Sequence, residues 1–266
     1  MAIPRPRGTL GWLLLINIVV FVVQKVVGLD SLFANLFAVV PDLWWQPWRY
    51  VTFQFLHAGF SHIFFNMLIL FFLGMYLSRD WGGRRFLQFY LACGITGGVL
   101  HVVLTPLLNQ PTFVPLMGAS GGCYGVLLAC AVFYPQIKLY VYFIFPVSIR
   151  VIAAVFLGVA VLAVIAGLRV AAQGGTLEGG ISHPAHLGGA MAAAVWIWVL
   201  PKLRRRRLVR ASGAGRWEKK LQRERELEEK VDEILAKIRR EGFNSLNRRE
   251  KRILKQATDQ QRGQGL

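Results

Sequence analysis

Six long apolar runs dominate the first 200 residues, at roughly 9–27, 61–78, 86–106, 118–134, 149–168 and 186–200. Each approaches the ~20 residues that a helix needs to cross a bilayer. The last counts only about 15 and needs its flanks to span. The pattern predicts an all-α, polytopic membrane protein with six spans. The first run follows Pro4-Arg5-Pro6-Arg7, the layout of a signal peptide. Its long apolar core and the lack of an A-x-A-like site after it predict an uncleaved anchor instead. Six spans place both termini on one side. Beyond residue 200 the pattern changes to a basic linker (201–215) and a charged helical tail (216–266), so residues 1–200 form the membrane domain.

The connection between the first two runs, about residues 28–60, is too apolar for an ordinary loop. Trp44, Trp45 and Trp48 suit a membrane–water interface. The segment is expected to lie partly in the outer leaflet, packed against the bundle, with Pro41 and Pro47 preventing one continuous helix.

Composition agrees with several spans: 55% of the 266 residues are hydrophobic and the mean hydropathy is +0.45. The formal net charge of +17 would ordinarily suggest nucleic acid, but its location decides otherwise. Residues 201–266 hold 21 of the 31 Lys/Arg and 10 of the 14 Asp/Glu, so most of the excess lies outside the apolar body. The remaining basic residues fix the orientation. Arg5, Arg7, Arg79, Arg84, Arg85, Lys138, Arg150, Lys202 and Arg204–Arg207 flank one set of span ends, whereas the opposite connections contain few. By the positive-inside rule both termini are cytoplasmic and the protein sits in a cell membrane. Cys93, Cys123 and Cys130 all fall in apolar segments and read as buried free thiols.

This orientation brings polar residues together. Spans two, four and six all run inward from the outer surface. His62 and Asn66 lie near the start of span two, Ser120 near the start of span four and His186 near the start of span six, all at a similar shallow depth. The i, i+4 spacing of His62 and Asn66 puts them on one helix face, and polar residues within spans usually face the bundle interior. A serine, two histidines and an amide suffice for acyl transfer. Neutral His186 can take the proton of Ser120 and later protonate a leaving amine. The Ser120 N–H, Asn66 amide and His62 imidazole can serve as oxyanion donors. No acidic residue lies in those three runs, so a Ser–His pair is simpler than a triad. Three other readings compete. Small residues such as Gly118, Gly121, Gly122, Gly125, Gly188 and Gly189 let spans approach closely whatever the chemistry. Cys123 is a rival nucleophile, although a helix-buried thiol is usually inert. A metal site from His57, His101 and His183 lacks any HExxH or CxxC spacing. No metal or other cofactor is expected.

These residues also carry a family resemblance. Gly118-Ala-Ser-Gly121 resembles the GxSG motif of rhomboid intramembrane serine proteases, and His186 within AHLGG resembles their catalytic histidine. His62-x-x-x-Asn66 is similar to the family's span-two motif, Trp48-Arg49 to its first-loop pair, and Tyr124 to the tyrosine that packs on the histidine ring. The resemblance covers about residues 9–200 and implies a six-helix rhomboid-like bundle that hydrolyses peptide bonds in or beside transmembrane helices of membrane-protein substrates. Ala193 departs from the family's frequent Gly, while Gly189 is kept. Ser78-Arg79-Asp80 stands where an acidic residue is frequent. A non-catalytic rhomboid-like protein that binds transmembrane helices is the alternative, and it predicts a missing serine or histidine; neither is missing. A transporter would show paired broken helices or an inverted repeat, which the sequence lacks.

In the tail, Leu221, Leu227, Val231, Leu235 and Ile238 form a narrow apolar stripe on a charged helix. Gly242 is the expected stop, and Ser245 the expected cap of a second short helix through Lys255. VDEILAKIRREGFNSLNRREKRILKQAT resembles a C-terminal module found on some bacterial rhomboids. The tail is expected to be either a solvated extension or a docking site for a cytoplasmic partner. Arg204–Arg207 needs only anionic lipid headgroups as its partner, and nucleic acid is not required.

Overall fold

A computed structural model describes residues 8–141, 144–176, 180–202, 214–242 and 245–264. Arg5, Arg7 and the Arg204–Arg207 cluster lie outside the described residues. The chain resolves into two compact units, Met1–Pro201 and Lys202–Leu266.

The first unit is helical at all six predicted runs. In chain order it contains α1 (Thr9–Val26), α2 (Asp30–Phe37), α3 (Arg49–Thr52), α4 (Phe60–Trp81), α5 (Gly83–Leu107), α6 (Ser120–Phe133), α7 (Ile149–Ala172) and α8 (His183–Ala194), the last continuing through a π-turn at Val195–Val199. α4, α5, α7 and the stretch His183–Lys202 are long and apolar enough to cross a membrane. α1 and α6 are shorter apolar helices. The core joins Leu10, Leu13 and Leu14 of α1 to Leu70, Leu73 and Leu77 of α4, and these to Phe86, Phe89 and Tyr90 of α5 and Val126 and Leu127 of α6. Cys93, Cys123 and Cys130 are free and buried within it. Ala193 is fully buried there too, so the core accommodates the methyl that glycine would lack. α7 buries only a narrow stripe, Ile149, Ala153, Ala160, Val164 and Gly167. Ile152 packs partly buried against the core, whereas Val151, Val155 and Leu162 face outward, as lipid-facing residues do.

The connection before α4 is broken into short helices. Arg49 holds it together: its guanidinium donates to the carbonyls of Ala38 and Asn35 and to Gln46 Oε1, and the Trp48 indole N–H donates to Leu36 O at 3.1 Å. It docks on α5 at glycines. A Cβ at Gly94 would overlap Gln54, and one at Gly98 would press on Tyr50 and Phe53 at 3.2 Å. One element departs from the all-helical expectation. Between α6 and α7, β1 (Lys138–Val141) and β2 (Phe145–Ser148) pair antiparallel, with Lys138 opposite Ser148 and Val141 opposite Phe145.

The second unit contains α9 (Ala214–Glu241) and α10 (Arg248–Gln264). α9 ends at Gly242, which takes φ +79° and donates its N–H to Ile238 O at 2.9 Å. The expected cap of α10 is corrected. Asn247, not Ser245, caps it: Asn247 Oδ1 accepts the N–H groups of Arg249 and Glu250, both at 2.9 Å, while Glu250 accepts the Asn247 N–H at 2.7 Å. This reciprocal capping box starts a helix that runs to Gln264, well beyond Lys255. The apolar stripe is also corrected. Ile234 is buried in it while Leu235 is exposed, because 227, 231, 234 and 238 follow the helical repeat along one face. The Leu221 side chain lies outside the described residues.

Candidate active site

The segment entering α6 is pinned before the helix begins. Val39 and Leu116 exchange backbone hydrogen bonds of 3.1 and 2.7 Å, and Gly118 N–H donates to Phe53 O at 2.9 Å. Gly118 has φ +135°, a conformation that side chains rarely adopt. It also has no room, since a Cβ there would stand 2.7 Å from His62 Cε1 and Nε2. The tip of the His62 ring therefore lies against the backbone two residues before Ser120. Ser120 is the first residue of α6, where backbone N–H groups lack helical partners and the dipole favours negative charge.

His186 occupies the first turn of α8, and its Nε2 lies 3.0 Å from Ser120 Oγ. Tyr124, one turn after Ser120, stacks on the His186 ring with centroids 4.0 Å apart and planes 12° apart. His186 Nδ1 is buried with no hydrogen-bond partner among the described residues. Among the described residues the serine's neighbour is thus a single imidazole oriented by an aromatic face, without a carboxylate behind it. Asn66 is buried one turn beyond His62 on α4. Its backbone carbonyl accepts the Cys123 thiol at 3.5 Å, and its Nδ2 has no partner among the described residues, leaving an amide donor free. Cys123 accordingly points to α4.

Glycines set these distances, but through more neighbours than expected. Gly189 makes the closest approach of α8 to α6, where a Cβ would stand 2.0 Å from Gly121 O. Gly122 and Gly125 instead make room for Tyr90 and Cys93 of α5, and Gly188 lies against Thr96 O and Gly97 of α5. α5 is therefore the wall on which both site-bearing helices rest.

The other histidines are placed separately. His57 is fully buried beside His62, edge to face at 5.1 Å, and its backbone N–H donates to Gln24 Oε1 at 3.2 Å. Burial pushes the His57 imidazole down to about 3, with the nearby His62 adding to the effect, so it stays neutral. His183 meets His186 edge to face at 6.0 Å. Among the described residues no three His, Cys, Asp or Glu side chains group as metal ligands would. Sequence reasoning gave His101 no part in the serine chemistry, yet it lies in α5 with Nδ1 2.9 Å from Ser182 Oγ. The signals present were the i, i+4 pair His101 and Thr105 inside a span, and Ser182-His183-Pro184 as a helix start.

Comparison with known proteins gives a consistent picture. The rhomboid domain family matches residues 44–203. Rhomboid protein 1, mitochondrial, of Saccharomyces cerevisiae is 32% identical over 165 residues, covering 61% of this chain and 45% of the yeast protein. Rhomboid protease GluP of Bacillus subtilis is 42% identical over 87 residues, 32% of this chain and 16% of that protein. Rhomboid-like protein 11, chloroplastic, of Arabidopsis thaliana is 28% identical over 219 residues, 75% of this chain and 68% of its own length. The chain spans less than half the length of the yeast and Bacillus relatives.

Proposed function

The chain belongs to the rhomboid family, and from that premise we propose that it is an intramembrane serine protease acting through Ser120 and His186. The observation that carries this reading is the 3.0 Å separation of Ser120 Oγ and His186 Nε2 across two helices. Ser120 Oγ attacks the scissile carbonyl carbon as His186 Nε2 takes the hydroxyl proton. The carbonyl oxygen becomes an oxyanion held by the Ser120 N–H, Asn66 Nδ2 and the His62 ring. Collapse of the intermediate breaks the C–N bond, and His186 returns the proton to the leaving amine. Water then hydrolyses the acyl-serine by the same steps. No cofactor takes part.

The substrates are membrane proteins cut in or next to a transmembrane helix. We place the chain in the cell membrane as the six-span bacterial form with a cytoplasmic C-terminal extension. Its termini are cytoplasmic and its site lies near the outer face, readings supported by the one-sided distribution of Lys and Arg around the apolar runs. Arg204–Arg207 meets anionic headgroups, and the tail docks a cytoplasmic partner. A helical backbone shields its amides, so a substrate helix must unwind before Ser120 reaches a carbonyl. Unwinding is easiest where Gly or Pro weakens the helix and water satisfies the freed groups. A single-span substrate carrying Gly or Pro in its outer half is therefore cut faster than an all-Leu version, with mass spectrometry mapping the cut to that half. Equal rates, or cleavage in the cytoplasmic half, would overturn the reading.

A further inference from the structure

His101 is buried in α5, outside the Ser120–His186 pair, yet it is joined to the helix that carries the histidine. Its Nδ1 lies 2.9 Å from Ser182 Oγ, across 81 residues of sequence. Ser182 caps α8: its Oγ accepts the Ala185 N–H at 3.3 Å and its carbonyl accepts the His186 N–H at 3.3 Å. One residue thus both starts the helix and holds the backbone of His186. Because Ser182 Oγ accepts from Ala185, its own hydrogen is free for an acceptor, and His101 Nδ1 faces it. Thr105 spends its hydroxyl hydrogen on the His101 carbonyl at 2.7 Å; its Oγ1 also lies 3.4 Å from Nδ1, but Ser182 Oγ, at 2.9 Å, is the nearer partner.

The segment leading into Ser182 contains Gly174, Gly175, Gly179 and Gly180, a composition that by itself leaves the start of a helix poorly determined. α5, by contrast, lies backbone to backbone on α8. A Cβ at Gly97 would stand 2.6 Å from Ala185 O, and one at Gly188 2.5 Å from Thr96 O. His101 follows Gly97 by four residues, so it is the side chain one turn along the same contact. We infer that His101 is a positioning residue for the Ser120–His186 pair: through Ser182 it ties the first turn of α8 to α5 and fixes where His186 Nε2 stands. The inference rests on the protease reading for its effect on rate, and on the backbone alone for its effect on α8.

The test compares His101→Leu, which removes the acceptor and keeps bulk, with His101→Asn, whose Oδ1 falls where Nδ1 was. In purified full-length protein, His101→Leu lowers kcat on a model substrate roughly 10- to 100-fold, the scale of a small misplacement of reacting groups, with KM near wild type. His101→Asn retains most of the rate. Ser182→Ala loses at least as much as His101→Leu, because it removes the cap as well as the tie, and the double variant is no worse than Ser182→Ala alone, since both cut the same tie. Hydrogen exchange at the Ala185 and His186 amides, which needs no activity, speeds up in His101→Leu and not in His101→Asn. Wild-type kcat with unchanged exchange in His101→Leu would overturn the inference, as would additive losses in the double variant. Wild-type protein inactive on every substrate, but with exchange responding as expected, would sink the protease reading and leave the tie standing.

Discussion

Gly189 on α8 meets Gly121 on α6 so closely that a Cβ at Gly189 would stand 2.0 Å from the Gly121 carbonyl oxygen. Gly121 follows Ser120 directly, and Gly189 lies one turn after His186. The same approach that packs the two helices therefore sets the separation of the Ser120 and His186 side chains.

Alanine at Gly189 has nowhere to go, because the three nearest atoms all belong to the Gly121 backbone. Gly→Ala within a helix ordinarily gains up to ~1 kcal/mol, but overpacking of this kind costs about 1–3 kcal/mol or more. Gly189→Ala is expected to lower Tm and abolish cleavage together. Gly158 in α7 is open by comparison, with nothing within 4 Å of where a Cβ would stand, so Gly158→Ala leaves Tm unchanged or raises it. Thermal unfolding of both variants in one detergent checks the contrast.

Loss of one oxyanion donor costs on the order of 10²–10³ in rate in soluble hydrolases. His62→Ala and Asn66→Ala should each reduce turnover on that scale. Asn66 Nδ2 has no partner among the described residues, so Asn66→Ala should do so with little change in Tm. Unchanged turnover in both single variants and the double would remove α4 from the chemistry.

Tyr124 stacks on His186 without a hydrogen bond being needed for the contact. Tyr124→Phe keeps the face and should keep the rate. Tyr124→Ala gives up an aromatic contact worth about 0.5–1.5 kcal/mol, which corresponds to roughly tenfold in kcat at the upper end. Measuring kcat for the pair separates ring from hydroxyl.

In the tail, Glu250 accepts the Asn247 N–H and pairs with Lys237 at 3.1 Å. The Asn247 bond, then Lys237, holds its carboxyl below the usual 4.5. A carboxylate whose folded pKa is depressed contributes stability that is present above about pH 4.5 and is lost as pH falls through the folded value. Amide exchange in the first turn of α10 should therefore accelerate as pH is lowered through and below about 4.5, after correction for intrinsic rates. Glu250→Gln should flatten that dependence; an unaltered pH profile in the variant would exclude the capping box as its source.

Much of this architecture was legible in the chain. The six apolar runs become six helices, and Ser120 opens α6 because Gly118 permits a backbone that other residues resist. The short hairpin at Lys138–Ser148 was not legible: two strands of four residues are marginal on their own, and these are held at the junction of α6 and α7. Ser245 and Asn247 are both good caps by type, and only the Glu three residues after Asn247 distinguishes them. The tie between His101 and Ser182 joins positions too distant for any local pattern to connect.

The pairing of Ser120 with His186 is tested most directly by labelling the purified protein with a serine-directed fluorophosphonate. The wild-type protein is expected to form a covalent adduct that mass spectrometry maps to Ser120. Ser120→Ala should not label, and His186→Ala should label at least 10²-fold more slowly, the lower end of what a general base contributes. Labelling that survives Ser120→Ala, or proceeds at the wild-type rate in His186→Ala, would contradict the account.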